Sequence, residues 1–256
     1  MILRVVLVEP MYDGNIGSVA RSMKNFGFDR LVLVNPCRID DFGNAMASHA
    51  KDILDKAKVV ATLEDALDGA NLVVGTTGKR LGDEHKHLRL HIREPWLTPA
   101  KLAEKLNGKD CEVALLLGRE NWGLTNQELL LCDLLVSIPT SPIYPIMNLA
   151  HAATIILYEL SQVEHGGVAL AGPETLGRLQ AGVRSLLEEI NYPKYRMDFK
   201  MIMFKRIFGR AELTEREANT LLGMTKLIRW QVNNHKDHVN SLKPEESPPF
   251  VSWPRR

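Results

Sequence analysis

The fold is decided by the stretch Leu115-Leu116-Leu117-Gly118-Arg119-Glu120-Asn121-Trp122-Gly123-Leu124. Its apolar beginning is typical of a buried strand, which stops at a glycine that precedes a charged pair and a second glycine. In open α/β sheets the turn after such a strand lies at the carboxyl edge, where ligands bind. Two glycines within six residues indicate close approach of backbone to a ligand. The alternative is a plain strand-to-helix turn in which Arg119 and Glu120 form a surface pair of little energetic value.

Short apolar runs alternate with helical patterns on both sides of this stretch, over the first 160 residues. Such alternation predicts a mainly parallel sheet with helices on both faces. The run at 112–117 and an earlier one at 72–75 are continuously apolar, as central parallel strands are. The predicted strands are 3–9, 30–34, 59–61, 72–75, 112–117 and 134–138, and the predicted helices are 16–26, 41–50, 63–67, 99–106, 125–131 and 148–163.

Composition restricts the class of protein. The chain has 256 residues, 45% hydrophobic and 25% charged, which suits one large globular domain or a medium domain with a smaller one. No apolar run approaches the roughly 20 residues of a membrane helix, and the N-terminus begins as a strand without a signal-peptide cleavage site. Cys37, Cys111 and Cys132 are odd in number and widely spaced, which favours reduced thiols and a cytoplasmic location.

The second part of the chain differs from the first in pattern and in charge. Residues 1–165 carry 17 Lys+Arg against 21 Asp+Glu, and residues 166–256 carry 15 against 10. A basic half indicates an anionic partner such as nucleic acid, and the alternative is a solvated helical surface. We predict an α/β domain over 1–165, a glycine-rich linker at 166–173, an all-helical extension over 174–242 and a flexible tail at 243–256.

A second motif follows the first predicted strand, with the spacing Asn15-x-Gly17-x-x-x-Arg21. We expect a turn at 13–15 and a helix that begins at Ile16, so that its free amides form an anion site at the sheet edge. Arg21, one turn further, is expected to reach the same space. The spacing is neither a P-loop nor a dinucleotide Gly-x-Gly-x-x-Gly fingerprint. Taken alone, such a turn is more often structural.

The third motif is the proline-stiffened loop that runs from Ile138-Pro139 to Pro145-Ile146 and leads into Met147-Asn148-Leu149-Ala150. Proline fixes the backbone direction and removes amide donors, so the loop is expected to hold one shape. A rigid connector is the alternative interpretation.

The three motifs, in this order and spacing, resemble those of the SPOUT methyltransferases, the α/β-knot class. Leu-Val-Glu-Pro at 7–10, Gly-Asn-Ile-Gly-Ser-Val-Ala-Arg at 14–21 and Leu-Val-Asn-Pro at 33–36 resemble the TrmJ branch of that class. The resemblance covers about residues 1–160. It implies an S-adenosylmethionine-dependent transfer to a ribose 2′-hydroxyl of tRNA, at position 32 of the anticodon loop. The same chemistry on ribosomal RNA, and an RNA-binding protein without turnover, are the alternatives.

The resemblance also implies structural features. It implies a C-terminal trefoil knot in the α/β domain, which no periodicity argument would give, and a homodimer. Many relatives have Ser-Leu-Asn where this chain has Ile146-Met147-Asn148. The residues implied to bind S-adenosylmethionine are Thr76, Thr77, Gly78, Leu117, Gly118, Ile138, Ile146, Met147, Asn148 and Leu149.

The catalytic residues implied by the resemblance are Arg21, Asn15 and Glu120. Arg21 is a poor general base because the pKa of a guanidinium lies above about 12. We expect it to orient the ribose hydroxyl and stabilise developing negative charge, with a phosphate or water taking the proton. Asn15 is expected to fix its turn and contact RNA, and Glu120 to hold a basic side chain or a loop amide.

A basic loop follows Thr76-Thr77-Gly78 and is expected to contact RNA phosphates. It includes His87 and His91, four residues apart, but no carboxylate or cysteine pattern supports a metal site, and we predict none. The residues predicted to bind RNA are Arg21, Lys79, Arg80, Lys86, Arg89, Arg93 and Arg119.

Overall fold

The computed structural model describes residues 1–78, 93–164 and 166–241, with no side chains described for 235–241. In these ranges the strands are β1 (Ile2–Val8), β2 (Arg30–Val34), β3 (Lys58–Val60), β4 (Leu72–Thr76), β5 (Lys109–Asp110), β6 (Glu112–Leu117), β7 (Leu134–Val136) and β8 (Val168–Ala169). Six of them form a parallel sheet in the order β3-β2-β1-β6-β4-β7, and β5 pairs with β8. The predicted α/β class with a mainly parallel sheet is confirmed.

The helices of the α/β unit are α1 (Asp13–Asn25), α2 (Asp41–Ala47), α3 (Lys51–Asp55), α4 (Leu63–Leu67), α5 (Pro99–Leu106), α6 (Asn126–Leu130) and α7 (Leu149–Leu160). The extension contains α8 (Pro173–Glu189), α9 (Lys194–Ala211) and α10 (Glu215–Ser241).

Apolar side chains cover both faces of the central strands. In β1, Val5 and Leu7 pack into a core that also contains side chains of α1, α5 and α7. Val6 and Val8 pack on the opposite face, with side chains of α4 and α6. Burial on both faces explains why residues 5–8 of β1 and 113–117 of β6 are continuously apolar rather than alternating.

The first helix begins earlier than predicted. We expected a turn at 13–15 and a helix from Ile16, but α1 starts at Asp13, and Gly14 lies in its first turn. A Cβ on Gly14 would overlap the Phe42 ring, and one on Gly17 would overlap the carbonyl oxygen of Gly43. These glycines therefore allow α1 and α2 to pack closely instead of forming a turn.

Other boundaries shift for local reasons. The predicted helix 41–50 is divided at Ser48, whose φ of 52° ends α2 before a 3-10 turn over Ser48–Ala50. The helix predicted to reach residue 163 ends at Leu160, and the strand predicted to reach residue 138 ends at Val136.

The segment predicted as a linker is fixed to the α/β unit. Its strand β8 pairs with β5, and Ala171 is buried and accepts a hydrogen bond from Asn71 at 3.2 Å. The three helices of the extension share a small apolar core around Leu179 and Leu222. In the described ranges, no helix is long and apolar enough to span a bilayer.

Candidate functional site

A cleft of about 160 Å³ opens at the carboxyl ends of β4, β6 and β7. Open parallel sheets place their ligands at this edge. Its walls are mostly apolar side chains and backbone, and two of the segments that line it belong to the first and third predicted motifs. The lining residues include Thr76, Thr77, Gly78, Arg93, Leu117, Gly118, Glu120, Trp122, Ile138, Ile146, Met147 and Leu149.

The Glu120 carboxylate holds the loop that connects β1 to α1. One oxygen accepts the amide of Met11 at 2.9 Å, and the other accepts the amide of Tyr12 at 3.3 Å and the side-chain Nδ2 of Asn15 at 2.9 Å. This agrees with the expectation that Glu120 holds loop amides. Both oxygens are engaged, so the geometry gives Glu120 a positioning role.

Asn15 and Asn148 connect the second motif to the third. Asn148 Nδ2 donates to Asn15 Oδ1 at 3.1 Å. The Oδ1 of Asn148 accepts the amides of Ala150 at 2.8 Å and His151 at 3.4 Å, so it caps α7. One continuous chain of hydrogen bonds thus joins Glu120, Asn15, Asn148 and the start of α7. The second motif, more than 100 residues before the other two in sequence, thus meets them beside the cleft.

Most residues predicted to bind the cofactor line the cleft, and Asn148 does not. Thr76, Thr77 and Gly78 form one wall, and the segments at 117–118, at 138 and at 146–149 form the rest. A Cβ on Gly78 would lie 3.4 Å from Ile146 Cδ1, in contact with the opposite wall, so glycine leaves this space open. Asn148 instead caps α7 through its side chain.

The two glycines of the first motif have a different role from the one predicted. A Cβ on Gly118 would overlap the backbone of Gly123 and Leu124. Gly123 has φ of 71°, in the left-handed region that favours glycine. The close approach that the structure shows is therefore between the two ends of the loop at 118–124, which also line the cleft.

Arg119 was predicted to bind RNA, and this prediction is wrong. The residue is 8% exposed, and its guanidinium donates to Glu9 at 2.8 Å and to both oxygens of Glu128 at 3.0 and 3.1 Å. The hydrogen bonds to these carboxylates raise the pKa of Arg119, and they lower that of Glu9. Arg119 thus ties the ends of β1 and β6 to α6 and is not available to phosphate.

Arg21 lies two turns into α1, rather than in its first turn. Its side chain is exposed and is not among the residues lining the cleft. One residue on, Ser22 Oγ lies 2.7 Å from Thr154 Oγ1 of α7. Within the described ranges no side chain pairs with the Arg21 guanidinium.

Arg93 is described, whereas Lys79, Arg80, Lys86 and Arg89 of the predicted basic loop, with His87 and His91, lie outside the described residues. Arg93 lines the cleft and donates to Thr77 Oγ1 at 3.0 Å, to the Leu124 carbonyl at 3.3 Å and to Asn126 at 3.3 Å. Burial lowers the pKa of Arg93. The expected phosphate contact by Arg93 is replaced by a structural role in the cleft wall.

Trp122 is a residue of the site that sequence reasoning did not single out. Its side chain is 52% exposed and borders the cleft between Glu120 and Gly123. A tryptophan on a loop after a buried strand, between two glycines, was the available signal, since binding and catalytic residues are disproportionately on loops.

A profile of the SpoU rRNA Methylase family matches residues 2–158 of the chain. The chain is 37% identical over 234 residues to the tRNA (cytidine-2′-O-)-methyltransferase TrmJ of Methanocaldococcus jannaschii, covering 88% of this chain and 99% of that protein. It is 41% identical over 240 residues to the tRNA (cytidine/uridine-2′-O-)-methyltransferase TrmJ of Pectobacterium atrosepticum, covering 89% and 96%.

Solved structures show the same fold. The crystal structure of TrmJ from Z. mobilis ZM4 superposes with a TM-score of 0.69 at 26% identity, covering 89% of this chain and 99% of that one. A probable methylase family protein from Haemophilus influenzae Rd KW20 has a TM-score of 0.57 at 30% identity, with coverage of 91% and 98%.

Proposed function

Since this chain belongs to the SpoU rRNA methylase family, we propose that it transfers a methyl group from S-adenosylmethionine to a ribose 2′-hydroxyl of tRNA. The observation that carries this proposal is the hydrogen-bonded chain from Glu120 through Asn15 to Asn148, which assembles three separate motifs at one cleft. The relatives named for tRNA 2′-O-methylation match nearly their whole length, which supports tRNA as the substrate. Position 32 of the anticodon loop is our proposed target, on the resemblance described above.

The cleft fits an adenosine-bearing cofactor. Its apolar walls, contributed by Leu117, Ile138 and Leu149, suit a flat ring. Glycine at position 78 leaves space opposite Ile146, which a side chain would narrow. When bound there, S-adenosylmethionine supplies a methyl group activated by a sulfonium. Because Ile146 has no hydroxyl, the contacts available at that position are backbone groups and apolar atoms.

The chain's own contribution to the reaction is positioning and charge stabilisation. A ribose hydroxyl is a weak nucleophile, so orientation and help with its proton dominate catalysis. Arg21 is the residue we propose to orient the hydroxyl and stabilise its developing negative charge. The Asn15 amide and the Glu120 carboxylate fix the start of α1, which carries Arg21.

We propose a homodimer in which α7 lies in the contact. Tyr158 and Ile155 of this helix are 54% and 36% exposed, large apolar side chains next to the α1 surface that carries Arg21. Tyr158 also makes an edge-on contact with Phe26 at the end of α1, 5.9 Å between ring centres. A second copy would cover these side chains. A cytoplasmic location is proposed from the tRNA substrate and the three free cysteines.

Transfer of tritium from labelled S-adenosylmethionine separates the candidate functions. We expect incorporation into total tRNA and little into ribosomal RNA. Incorporation into ribosomal RNA alone would indicate that the substrate is ribosomal RNA, for which the family is named. Tight tRNA binding without incorporation would indicate an RNA-binding protein without turnover.

A further inference from the structure

Arg206 is a buried cation on α9 that belongs to no predicted motif. It is 7% exposed, and its guanidinium donates to the carbonyl oxygens of Glu94 at 2.9 Å and Leu129 at 3.5 Å. Burial lowers the pKa of Arg206. Because burying a guanidinium is unfavourable, a buried arginine that bonds backbone carbonyls is held at a definite place by those bonds.

The carbonyl that Arg206 holds is next in sequence to a wall of the cleft. Glu94 follows Arg93, whose guanidinium reaches Thr77 on one side and Leu124 on the other. Thr77 and Leu124 belong to two different lining segments, one after β4 and one after β6. Arg93 therefore connects two walls of the cleft. The hydrogen bond from Arg206 of α9 to the Glu94 carbonyl fixes the backbone next to Arg93.

Docking of α9 does not depend on this bond alone. Lys205 donates to the Leu131 carbonyl at 2.6 Å, and Lys105 and Lys109 pair with Glu212 at 2.8 and 3.1 Å. Gly209 lies so close to Asp133 that a Cβ would overlap the aspartate side chain. Among the described contacts of α9, the bond from Arg206 to Glu94 is the one that reaches the segment next to Arg93.

We propose that Arg206 is a positioning residue for the cofactor cleft: it fixes the Glu94 carbonyl and so places Arg93 across the Thr77 and Leu124 walls. The helical extension thereby sets cofactor affinity in addition to any contact with RNA. This inference rests on the proposed function, since it names the ligand of the cleft as S-adenosylmethionine. It concerns affinity and not the methyl-transfer step, because Arg206 contacts neither Arg21 nor Asn15.

The test is calorimetric titration of the full-length protein with S-adenosylmethionine, together with steady-state kinetics. We expect Arg206→Gln and Arg93→Met each to raise the Kd about tenfold, the scale of one charge-assisted hydrogen bond. The Kd of the double variant should be little higher than that of either single variant, because both substitutions break the same connection from Arg206 through the Glu94 carbonyl to Arg93. We call this connection the relay. KM for S-adenosylmethionine should rise with the Kd, with kcat at saturation nearly unchanged.

Two matched controls separate the relay from general stability. Lys205→Met removes the neighbouring docking bond, and Arg184→Gln removes an exposed pair with Asp198; both should leave the Kd at the wild-type value. Arg206→Lys keeps the charge without the planar fork, and should fold and give an intermediate Kd. A wild-type Kd in Arg206→Gln, or equal weakening by Lys205→Met, would overturn the relay. A wild-type protein that does not bind S-adenosylmethionine would instead overturn the proposed function.

Discussion

Asn15 contacts both of the other motifs, and no single motif could have revealed this. Its Nδ2 donates to Glu120 and its Oδ1 accepts from Asn148. The side chain thus uses both ends of its amide, and an aspartate at this position would place two carboxylates together. Asn15 is better described as the residue that connects the first and third motifs than as a residue that contacts RNA.

Arg21 has two candidate roles, a phosphate clamp and a group that stabilises charge in the transition state, and steady-state kinetics distinguish them. A phosphate clamp lost in Arg21→Ala would raise KM for tRNA and leave kcat nearly intact. We predict the other result, a fall in kcat at saturating tRNA of about 10²-fold or more, the usual scale for charge-stabilising groups. Arg21→Lys should not restore it. Near-normal kcat in Arg21→Ala would remove this residue from the chemistry.

Gly118→Val should abolish S-adenosylmethionine binding by separating the two ends of the loop at 118–124, since any Cβ at 118 overlaps the backbone of Gly123 and Leu124. Titration calorimetry on a variant shown to be folded by circular dichroism is the measurement. Gly177→Ala is the matched control, because its Cβ would meet nothing within 4 Å in α8. It should bind normally and gain up to about 1 kcal/mol of stability. Normal binding by the Gly118 variant would contradict this description of the loop.

The pair between Glu9 and Arg119 predicts a pH dependence of stability. The hydrogen bond from Arg119 lowers the pKa of Glu9 below its ordinary value of 4.5. A depressed carboxyl pKa stabilises the folded state above the unfolded-state pKa, and this contribution is lost as the pH falls through the folded value. Urea unfolding of the wild type and Glu9→Gln should differ most near neutral pH and converge below about pH 4. A constant difference between pH 7 and pH 3 would contradict the pairing.

Residue patterns predicted which segments meet, but not the direction in which each side chain points. Arg119 and Glu120 are adjacent charges after one strand, and sequence alone does not say which one is buried. The structure buries Arg119, because Glu9 and Glu128 are both in reach, and points Glu120 to the loop before α1. These partners lie 9 to 110 residues away, which is why local reasoning assigned Arg119 to RNA.

At the scale of elements, strands were predicted best. The strand at 112–117 has the predicted bounds because its apolar run is of strand length and ends at a glycine. The start of α1 was missed because Gly14-Asn15 resembles a turn, whereas tight packing against α2 requires glycine there. The trefoil knot, which the resemblance implies, stays a prediction.

The extension packs on the α/β unit through α9, which lies beside β7. Its exposed N-terminal turn combines Lys194 and Arg196 with Tyr195, 81% exposed and 5.2 Å from the Arg196 guanidinium. Cations interleaved with an aromatic ring are typical of RNA-binding surfaces. This cluster is the part of the basic half that we expect to contact tRNA.

Charge reversal tests this surface. Lys194→Glu with Arg196→Glu should weaken tRNA binding and reduce the slope of log K against log salt by about 1 to 2, since each lost phosphate contact removes roughly 0.7 to 0.9. Lys51→Glu with Lys56→Glu, at the opposite edge of the sheet near β3, makes the same charge change as a control and should leave the slope unchanged. An equal change of slope in both double variants would indicate that tRNA binding responds only to the overall electrostatic field of the molecule.

For the whole molecule, we propose that the cleft at the sheet edge holds the cofactor and that tRNA binds across α1 and α9. The family could be predicted from the order of the motifs. The docking of α9 could not, because it depends on carbonyl oxygens of Glu94 and Leu131 that any sequence supplies.

The most direct test of the proposed methyl transfer is mass-spectrometric mapping of the methylated nucleotide in tRNA that has been incubated with the protein and S-adenosylmethionine. We predict one added methyl group on the ribose 2′-oxygen of residue 32, resistant to alkaline cleavage on its 3′ side, and its loss with Arg21→Ala. A methyl group on a base, or a ribose methyl that forms equally well with Arg21→Ala, would contradict it.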